Sequence, residues 1–511
     1  MAQMNYRIGV DVGGTFTHAV AVDSGSGRLA GKVKVPTTHT AAEGVARGVA
    51  QAIGELLETT GFSPASVTFI AHSTTQATNA LLEGDVAPVG IVATGKGLEG
   101  WRVKHQSRIG DIPLGGDHSL KTLHQFIHRN AIEQQAAGAI QRLKAAGAGA
   151  MVAADAFSVD DPSREKTLTQ EARKQGLPAT GTHEISGLYG LRVRTRTAAL
   201  NASIMPPMIE AASMTETSVK SAGISAPLMV MRSDGGVMKM EEVRKRPLLT
   251  ILSGPAAGVA AALMFVRLSD GVFLEVGGTS TDISLISMGR AHTQSAQVGG
   301  HRLFLRTLDV RTIGLGGGSM IRLGGGKPLE VGPRSAHIAN LPYCCYGSTE
   351  ALREAGLRLV APREGDPADY IVLEAPDGRK SALTLTCAAN ALGKLADDDY
   401  ASGNRQSARA GFGLLADFCG RPGEGEALAQ AVLALAARKA AATVEKLLLE
   451  YGAGAESTRL IGGGGAGGVL VPATAEALGT SYRICPEAEV ISAIGVALAL
   501  VRETIERNII D

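Results

Sequence analysis

An α/β fold of two duplicated lobes around a ligand cleft is predicted by three observations. The chain has 511 residues, a glycine-rich hairpin occurs twice in it, and apolar strand-like runs flank both copies. Single hydrophobic cores stop growing near ~250–300 residues, so a chain of this length divides. Asp11-Val-Gly-Gly-Thr-Phe-Thr-His18 returns 264 residues later as Glu275-Val-Gly-Gly-Thr-Ser-Thr-Asp282. Each copy follows an apolar run, 7–10 and 271–274, and precedes another, 19–22 and 283–286, so each reads as a hairpin between two strands. One such hairpin near the start of each half implies lobes of a common plan, 1–200 and 201–511, facing a shared small-molecule site.

The remaining elements follow in order. Residues 41–59 have helical spacing, 67–71 read as a buried strand, and His72-Ser-Thr-Thr leads into a helix over 76–82. Ser253-Gly-Pro opens a small-residue helix over 256–265. Asp377-Gly378 between two apolar runs, 369–375 and 380–386, signals a hairpin. Residues 426–451, rich in Ala, Leu, Lys and Glu and stopped by Gly452, form the clearest helix. A short strand over 458–461, the glycine run 462–468 and a terminal helix over 491–508 close the second lobe.

An acidic residue followed by Val-Gly-Gly-Thr at a strand end suits a polyphosphate. The glycines let backbone N–H groups approach phosphate oxygens, the threonine adds a hydroxyl donor, and the carboxylate can hold Mg²⁺ through water. Asp11, Gly13, Gly14 and Thr15 form one such clamp, and Glu275, Gly277, Gly278 and Thr279 the other. Either copy alone reads as an ordinary hairpin turn; two in corresponding places do not. The run 462–468 contains Gly-x-Gly-x-x-Gly, but it sits near the C-terminus without the βαβ setting and following acid of a dinucleotide site. It reads instead as a backbone surface, Gly463, Gly464 and Gly465, beneath a nucleoside. No Gly-x-x-x-x-Gly-Lys-Ser/Thr motif is present, which excludes a P-loop.

Bulk properties narrow the partners. With 50 Lys+Arg against 49 Asp+Glu, no field exists to gather nucleic acid or an anionic membrane. No run of ~20 uninterrupted apolar residues reads as a membrane span. Five cysteines without framework spacing, and a start that runs straight into a strand pattern, lead us to expect a reducing, cytoplasmic setting.

A larger set of motifs points to one family. Beyond the two hairpins, His72-Ser-Thr-Thr-Gln-Ala-Thr-Asn-Ala-Leu-Leu-Glu83, Ser233-Asp-Gly-Gly-Val237, Leu252-Ser-Gly-Pro-Ala-Ala-Gly-Val259, Ile313-Gly-Leu-Gly-Gly-Gly-Ser319, Val331-Gly-Pro-Arg-Ser-Ala336 and Cys345-Tyr-Gly347 occur in sequence. In this order they resemble the hydantoinase A/oxoprolinase family along nearly the whole chain, 348–425 being the least familiar part. The resemblance implies actin/Hsp70-like (ribonuclease H-like) lobes around a nucleotide cleft, with ATP and Mg²⁺ as cofactors. It also implies a chemistry in which ATP phosphorylates the oxygen of a cyclic amide or related carbonyl, and a hydantoinase B-like second subunit that completes ring opening or carboxylation.

Carried onto this chain, the resemblance makes Asp11 and Glu275 the organisers of Mg·ATP, puts Thr15 and Thr279 on phosphates, and adds Asp282 and Asp234 as candidates for phosphoryl-transfer or metal roles. The family's usual Asp at the end of the first hairpin is His18 here, and the Asp opening the second is Glu275. His72, with Thr74, Thr75 and Asn79, lies where a strand meets a helix N-terminus, suited either to a polarised carbonyl or to capping. Cys345 beside Cys344 reads as a small core hydrophobe rather than as a metal ligand with His72, whereas the segment 314–319 and the trio Trp101, His105 and Arg108 admit packing as readily as ligand or partner roles.

Overall fold

The computed structural model describes residues 5–14, 16–38, 44–454 and 458–503. The chain forms two compact units, the first built from Met1–Ala260, Thr293–Leu308 and Ala493–Asp511, the second from Ala261–His292 and Asp309–Ser492. This division differs from the expected boundary after residue 200, which falls inside one continuous helix, Leu191–Ser221. That helix buries side chains from Leu191 to Val219 in the core of the first unit, so no lobe can end within it.

In the first unit, β1 (Tyr6–Val12), β2 (Phe16–Asp23) and β3 (Leu29–Pro36) form an antiparallel meander. Two further strands extend the sheet on the other side of β1: β4 (Val67–His72) runs parallel to β1, and β5 (Leu228–Met231) parallel to β4. With the edge strand β6 (Val237–Lys239), the order is β6-β5-β4-β1-β2-β3. Ile8, Val10 and Val12 line one face of the central strand and are each at most 1% exposed, and on the other face a Cβ on Gly9 would strike the Ala493 carbonyl oxygen at 2.1 Å. Helices α1 (Val45–Thr60) and α2 (Gln76–Glu83) agree with expectation, apart from residues 41–43, which lie outside the described residues. A second sheet of four parallel strands, in the order 179–181, 150–155, 89–95, 122–128, lies in the same unit, and α3 (Leu191–Ser221) packs on both α1 and the 150–155 strand.

The second unit repeats the plan. Its antiparallel strands β7 (Gly271–Val276), β8 (Thr281–Ser287) and β9 (Arg290–Ala291) are joined by β10 (Leu460–Gly463), parallel to β7, and β11 (Tyr482–Ile484), parallel to β10, in the order β9-β8-β7-β10-β11. Both units therefore carry the five-strand order 3-2-1-4-5, with only the second strand reversed against its neighbours. This is the ribonuclease H-like lobe of actin-type ATPases, and it occurs twice.

The expected hairpin around Asp377 forms, its strands Tyr370–Glu374 and Lys380–Ala382 pairing antiparallel. Helix α4 (Gly425–Glu450) is long and apolar enough by length and composition to cross a membrane, unlike any run noted in the sequence. Its residues from Leu428 to Leu448 nevertheless pack into the core of the second unit. The expected terminal helix is shorter than 491–508: α5 spans Ile491–Leu498, because the Val237 N–H then takes the Leu500 carbonyl at 2.9 Å and Val501 bridges to Val237. Residues 504–508 lie outside the described residues.

Helix Arg405–Phe418 offers a matched test of where the second core lies, since Phe412 is 1% exposed and Phe418 50% exposed. Phe412→Ala is expected to destabilise by about 3–5 kcal/mol, and Phe418→Ala by no more than about 0.5 kcal/mol, read as shifts of the urea midpoint at unchanged slope.

Candidate functional site

The two hairpins are superimposable in register. Asp11 pairs across from His18 and Val12 from Thr17; Glu275 pairs across from Asp282 and Val276 from Thr281. Both turns close with the same bond, Gly13 N–H to the Phe16 carbonyl (3.1 Å) and Gly277 N–H to the Ser280 carbonyl (2.9 Å). Thr15 lies outside the described residues.

Neither Gly14 nor Gly278 is needed for the fold. Both have ordinary negative φ; a Cβ on Gly14 would meet nothing within 4 Å, and one on Gly278 would meet only the Tyr343 hydroxyl, at 3.5 Å. A position where an L side chain fits the backbone and the space, yet glycine stands, is where a backbone must lie bare against something else.

In the first unit the Asp11 carboxylate is fixed from β4. Ser73 donates its hydroxyl to Asp11 Oδ1 at 2.5 Å, accepts the Val12 N–H at 3.1 Å, and is itself held by its N–H on the Val10 carbonyl at 2.9 Å. The other carboxylate oxygen has no partner among the described residues. Close packing pushes the Asp11 carboxyl above its usual range, an effect the Ser73 hydroxyl only partly offsets.

His72, paired with Val10 at the end of β4, is buried, and its Nδ1 lies 2.9 Å from the Ser73 carbonyl. A carbonyl only accepts, so Nδ1 carries the proton. Burial pushes the imidazole pKa down and keeps it neutral, so Nε2 carries a lone pair, and that atom is buried with no partner among the described residues. The Thr75 hydroxyl, three residues on, is likewise buried with no partner among the described residues. Two of the sequence motifs meet at this point: the Thr74 N–H bonds the Ser253 hydroxyl at 3.1 Å, which returns a bond to the Thr74 carbonyl at 2.8 Å, and the Leu252 N–H bonds the Thr78 hydroxyl at 3.1 Å.

The second unit holds its acid in the same way from a different element: the Ser492 hydroxyl, at the start of α5, donates to Glu275 Oε1. Asp282 accepts the Thr312 hydroxyl at 2.5 Å. The segment 314–319 proves to be the backing of the hairpin. Gly317 N–H bonds the Gly277 carbonyl at 2.9 Å and Gly318 N–H the Gly278 carbonyl at 2.8 Å. A Cβ on Gly316 would stand 2.6 Å from the Gly277 carbonyl oxygen. Cys344 and Cys345 are buried in the core of this unit.

Two expectations change. Asp234 is not available to a metal: its Oδ2 receives Arg232 Nη2 at 2.7 Å and its Oδ1 the Gly236 N–H at 3.2 Å. The glycines at 463–465 are already required by packing. A Cβ on Gly463 would lie 2.9 Å from the Phe273 ring, one on Gly465 3.0 Å from the Tyr400 ring, and Gly464, at φ +79°, one 2.4 Å from the Val276 carbonyl oxygen. Among the described residues no group of three or more His, Cys, Asp or Glu is arranged to hold a metal. Any Mg²⁺ here would rest on one or two carboxylates, with water and phosphate oxygens completing its shell, as this ion commonly does.

Sequence reasoning missed the two serines. Ser73 was legible as the hydroxyl directly after a strand that runs parallel to β1; Ser492, 217 residues from its partner, left no local signal.

Two ribonuclease H-like lobes, each with an acid and glycines at its first hairpin, give the architecture of actin-type proteins. Residues 7–176 match the Hydantoinase/oxoprolinase N-terminal region and residues 194–505 the Hydantoinase/oxoprolinase domain. The chain belongs to the hydantoinase/oxoprolinase family. It is 27% identical over 537 residues to the caprolactamase subunit alpha of Pseudomonas jessenii, covering 98% of this chain and 71% of that one. It is also 27% identical over 389 residues to the acetophenone carboxylase gamma subunit of Aromatoleum aromaticum, covering 67% of this chain and 51% of that one. Among solved structures, the ATP-dependent caprolactamase of Pseudomonas jessenii superposes with a TM-score of 0.68 at 25% identity, over 96% of this chain and 70% of that one. Nucleotide-free acetone carboxylase superposes with a TM-score of 0.67 at 22% identity, over 97% and 70%, and shows the fold.

The raised Asp11 pKa carries a stability signature. A carboxyl whose folded pKa exceeds its unfolded value, about 3.9, holds its proton more tightly in the folded protein. The stability this gives is complete below the unfolded value and is lost as pH rises through the folded value. Asp11→Asn removes the loss, so without nucleotide the variant is expected to melt at or above the wild-type temperature at pH 7, and the gap should close toward pH 4 in thermal unfolding followed by circular dichroism.

Proposed function

We propose that this chain is the ATP-using subunit of a hydrolase that activates a cyclic amide of the hydantoin, oxoproline or lactam type. The γ-phosphoryl group leaves ADP as its bond to the bridging oxygen breaks, and a new P–O bond forms at the amide carbonyl oxygen. The ring carbon becomes electrophilic, and with a hydantoinase B-like partner subunit water adds to it, the ring C–N bond breaks to free the amine and leave an acyl phosphate, and a second water releases inorganic phosphate and the open-chain acid. The observation that carries this reading is the repeated hairpin: a serine-held acid followed by Gly14 in one unit and Gly278 in the other, glycines that the fold itself does not need.

In this reading the backbone N–H groups of Gly14 and Gly278 and the hydroxyls of Thr15 and Thr279 meet phosphate oxygens, while the N–H groups of Gly13 and Gly277 are spent in closing the two turns. Mg²⁺ would be held by Asp11, whose second oxygen is open, with Glu275 the corresponding carboxylate of the second unit; when bound it would neutralise charge on the transferring group. His72 Nε2, a buried neutral acceptor, takes a proton or hydrogen bond at the substrate. Asp282 steadies the second hairpin opposite Glu275. The acetophenone carboxylase subunit among the relatives favours one neighbouring reading, in which the same phosphorylation activates a ketone and the partner supplies carboxylation. Five unbridged cysteines support a cytoplasmic setting for either reaction.

ADP release measured with a panel of lactams, hydantoins and ketones, with and without the partner subunit, tests the proposal. Substrate-stimulated turnover is expected, with Asp11→Asn and Glu275→Gln each slowing it ~10²–10³-fold, the scale of losing one preorganised charged contact. His72→Gln should lower turnover while leaving ATP affinity unchanged. Nucleotide-dependent complex formation without turnover on any substrate would instead make the chain a nucleotide switch.

A further inference from the structure

The C-terminal edge of the first unit's sheet holds a second concentration of charge that the phosphate hairpin does not use. Arg232 directly follows β5, two strands from β1 and so roughly 10 Å from the Asp11 strand end, at ~4.8 Å per strand spacing. Ligands of open parallel sheets gather outside such strand ends. Beside Arg232 lies a cavity of about 300 Å³ that Arg246 and Arg306 also line, with Leu249 and Phe304 as apolar wall.

The charges in this lining do not cancel. Asp234 has both oxygens occupied, by Arg232 and by the Gly236 N–H. Glu184, the other acid, accepts the Thr180 hydroxyl and the Gly181 N–H, each at 2.9 Å. Arg246 reaches Glu242 at 3.2 Å, whereas Arg306 bonds only the Thr293 hydroxyl, at 2.8 Å, and no acid pairs with it among the described residues. Arg232 is 6% exposed; its Nη1 is on the Arg502 carbonyl at 2.6 Å and its Nη2 on Asp234. Its Nε–H is buried with no partner among the described residues. A buried, unpaired guanidinium N–H is unfavourable, and an anion satisfies it. Planar guanidinium groups match a carboxylate in geometry as well as charge.

We propose that this cavity binds the carboxylate of a small organic acid, and that the molecule this chain activates bears that carboxylate. The second half rests on the function proposed above; the first stands without it. The phenyl and leucyl wall favours an organic anion over inorganic phosphate, whose whole surface demands polar partners.

Isothermal titration of the full chain without nucleotide separates the cases, with cyclohexanecarboxylate, its neutral isostere cyclohexanecarboxamide and inorganic phosphate as probes. The acid is expected to bind at least tenfold more tightly than either of the others. Arg306→Gln and Arg232→Lys should each weaken it tenfold or more, while Arg302→Gln on the same strand leaves it unchanged. Arg306 is exposed, so its variant keeps the test open even where the buried Arg232 change perturbs folding. Equal affinity for acid and amide, phosphate binding as tight as the acid, no heat at 10 mM acid, or wild-type affinity in Arg306→Gln would each overturn the proposal. Because nucleotide is absent, these failures leave the ATP-dependent reaction standing, and loss of that reaction leaves the carboxylate result standing.

Discussion

One serine hydroxyl on one carboxylate, made twice, is the interaction from which the rest of the molecule takes its meaning. Ser73 fixes Asp11 at the end of β1, and Ser492 fixes Glu275 at the end of β7. In each case the carboxylate sits where a central strand gives way to a glycine turn, with an antiparallel partner on one side and a parallel one on the other. A charged group in such packing is costly unless something stabilises it. Ser73 supplies part of that stabilisation at Asp11, and its only O–H is spent in doing so while its oxygen also receives the Val12 N–H. What stays uncompensated at Asp11 is available to a cation, and this is how an active site commonly stores the energy it later uses in binding.

The two units share this plan and then diverge on either side of it. With Asp11 and Glu275 in equivalent places, the strand registers set His72-Ser73-Thr74 against Gly462-Gly463-Gly464. The first unit spends that stretch on side chains: a neutral histidine with an open Nε2, the serine relay, and a threonine latched to Ser253. The second spends it on bare backbone, which lets the 464–466 turn press against Val276, where Ala466 N–H bonds the Val276 carbonyl at 2.9 Å. Duplicated architecture with unequal chemistry suits the reaction proposed above, whose two reactants, a polyphosphate and a carbonyl compound, are unlike.

The hairpins were legible in the sequence because a strand-turn-strand unit is local: eight residues specify it, and a second copy removes the ambiguity of the first. The strand order was not legible, since β4 and β10 reach their places only through long crossovers, β10 returning to β7 after more than 180 residues, with no local mark of the pairing. The lobe boundary was misplaced for a related reason, because a 31-residue helix carries Pro206 and Pro207 in its interior and its polar residues hide the continuity of its buried face. Asp234 looked like a metal ligand until the fold set Arg232 against it. Gly464 looked like a nucleoside surface until Val276 was found beneath it. In both cases the residue type was right for the chemistry, and the partner that claims it could be seen only in three dimensions.

Backbone amide hydrogen exchange, read by mass spectrometry with and without Mg²⁺ and a nonhydrolysable ATP analogue, bears most directly on the claim that both hairpins meet the nucleotide's phosphates. Slowed exchange in peptides covering 11–16 and in those covering 275–280, abolished in both when Mg²⁺ is omitted, is the result this account predicts. Protection confined to one hairpin, or to neither while the analogue is demonstrably bound elsewhere, would contradict it.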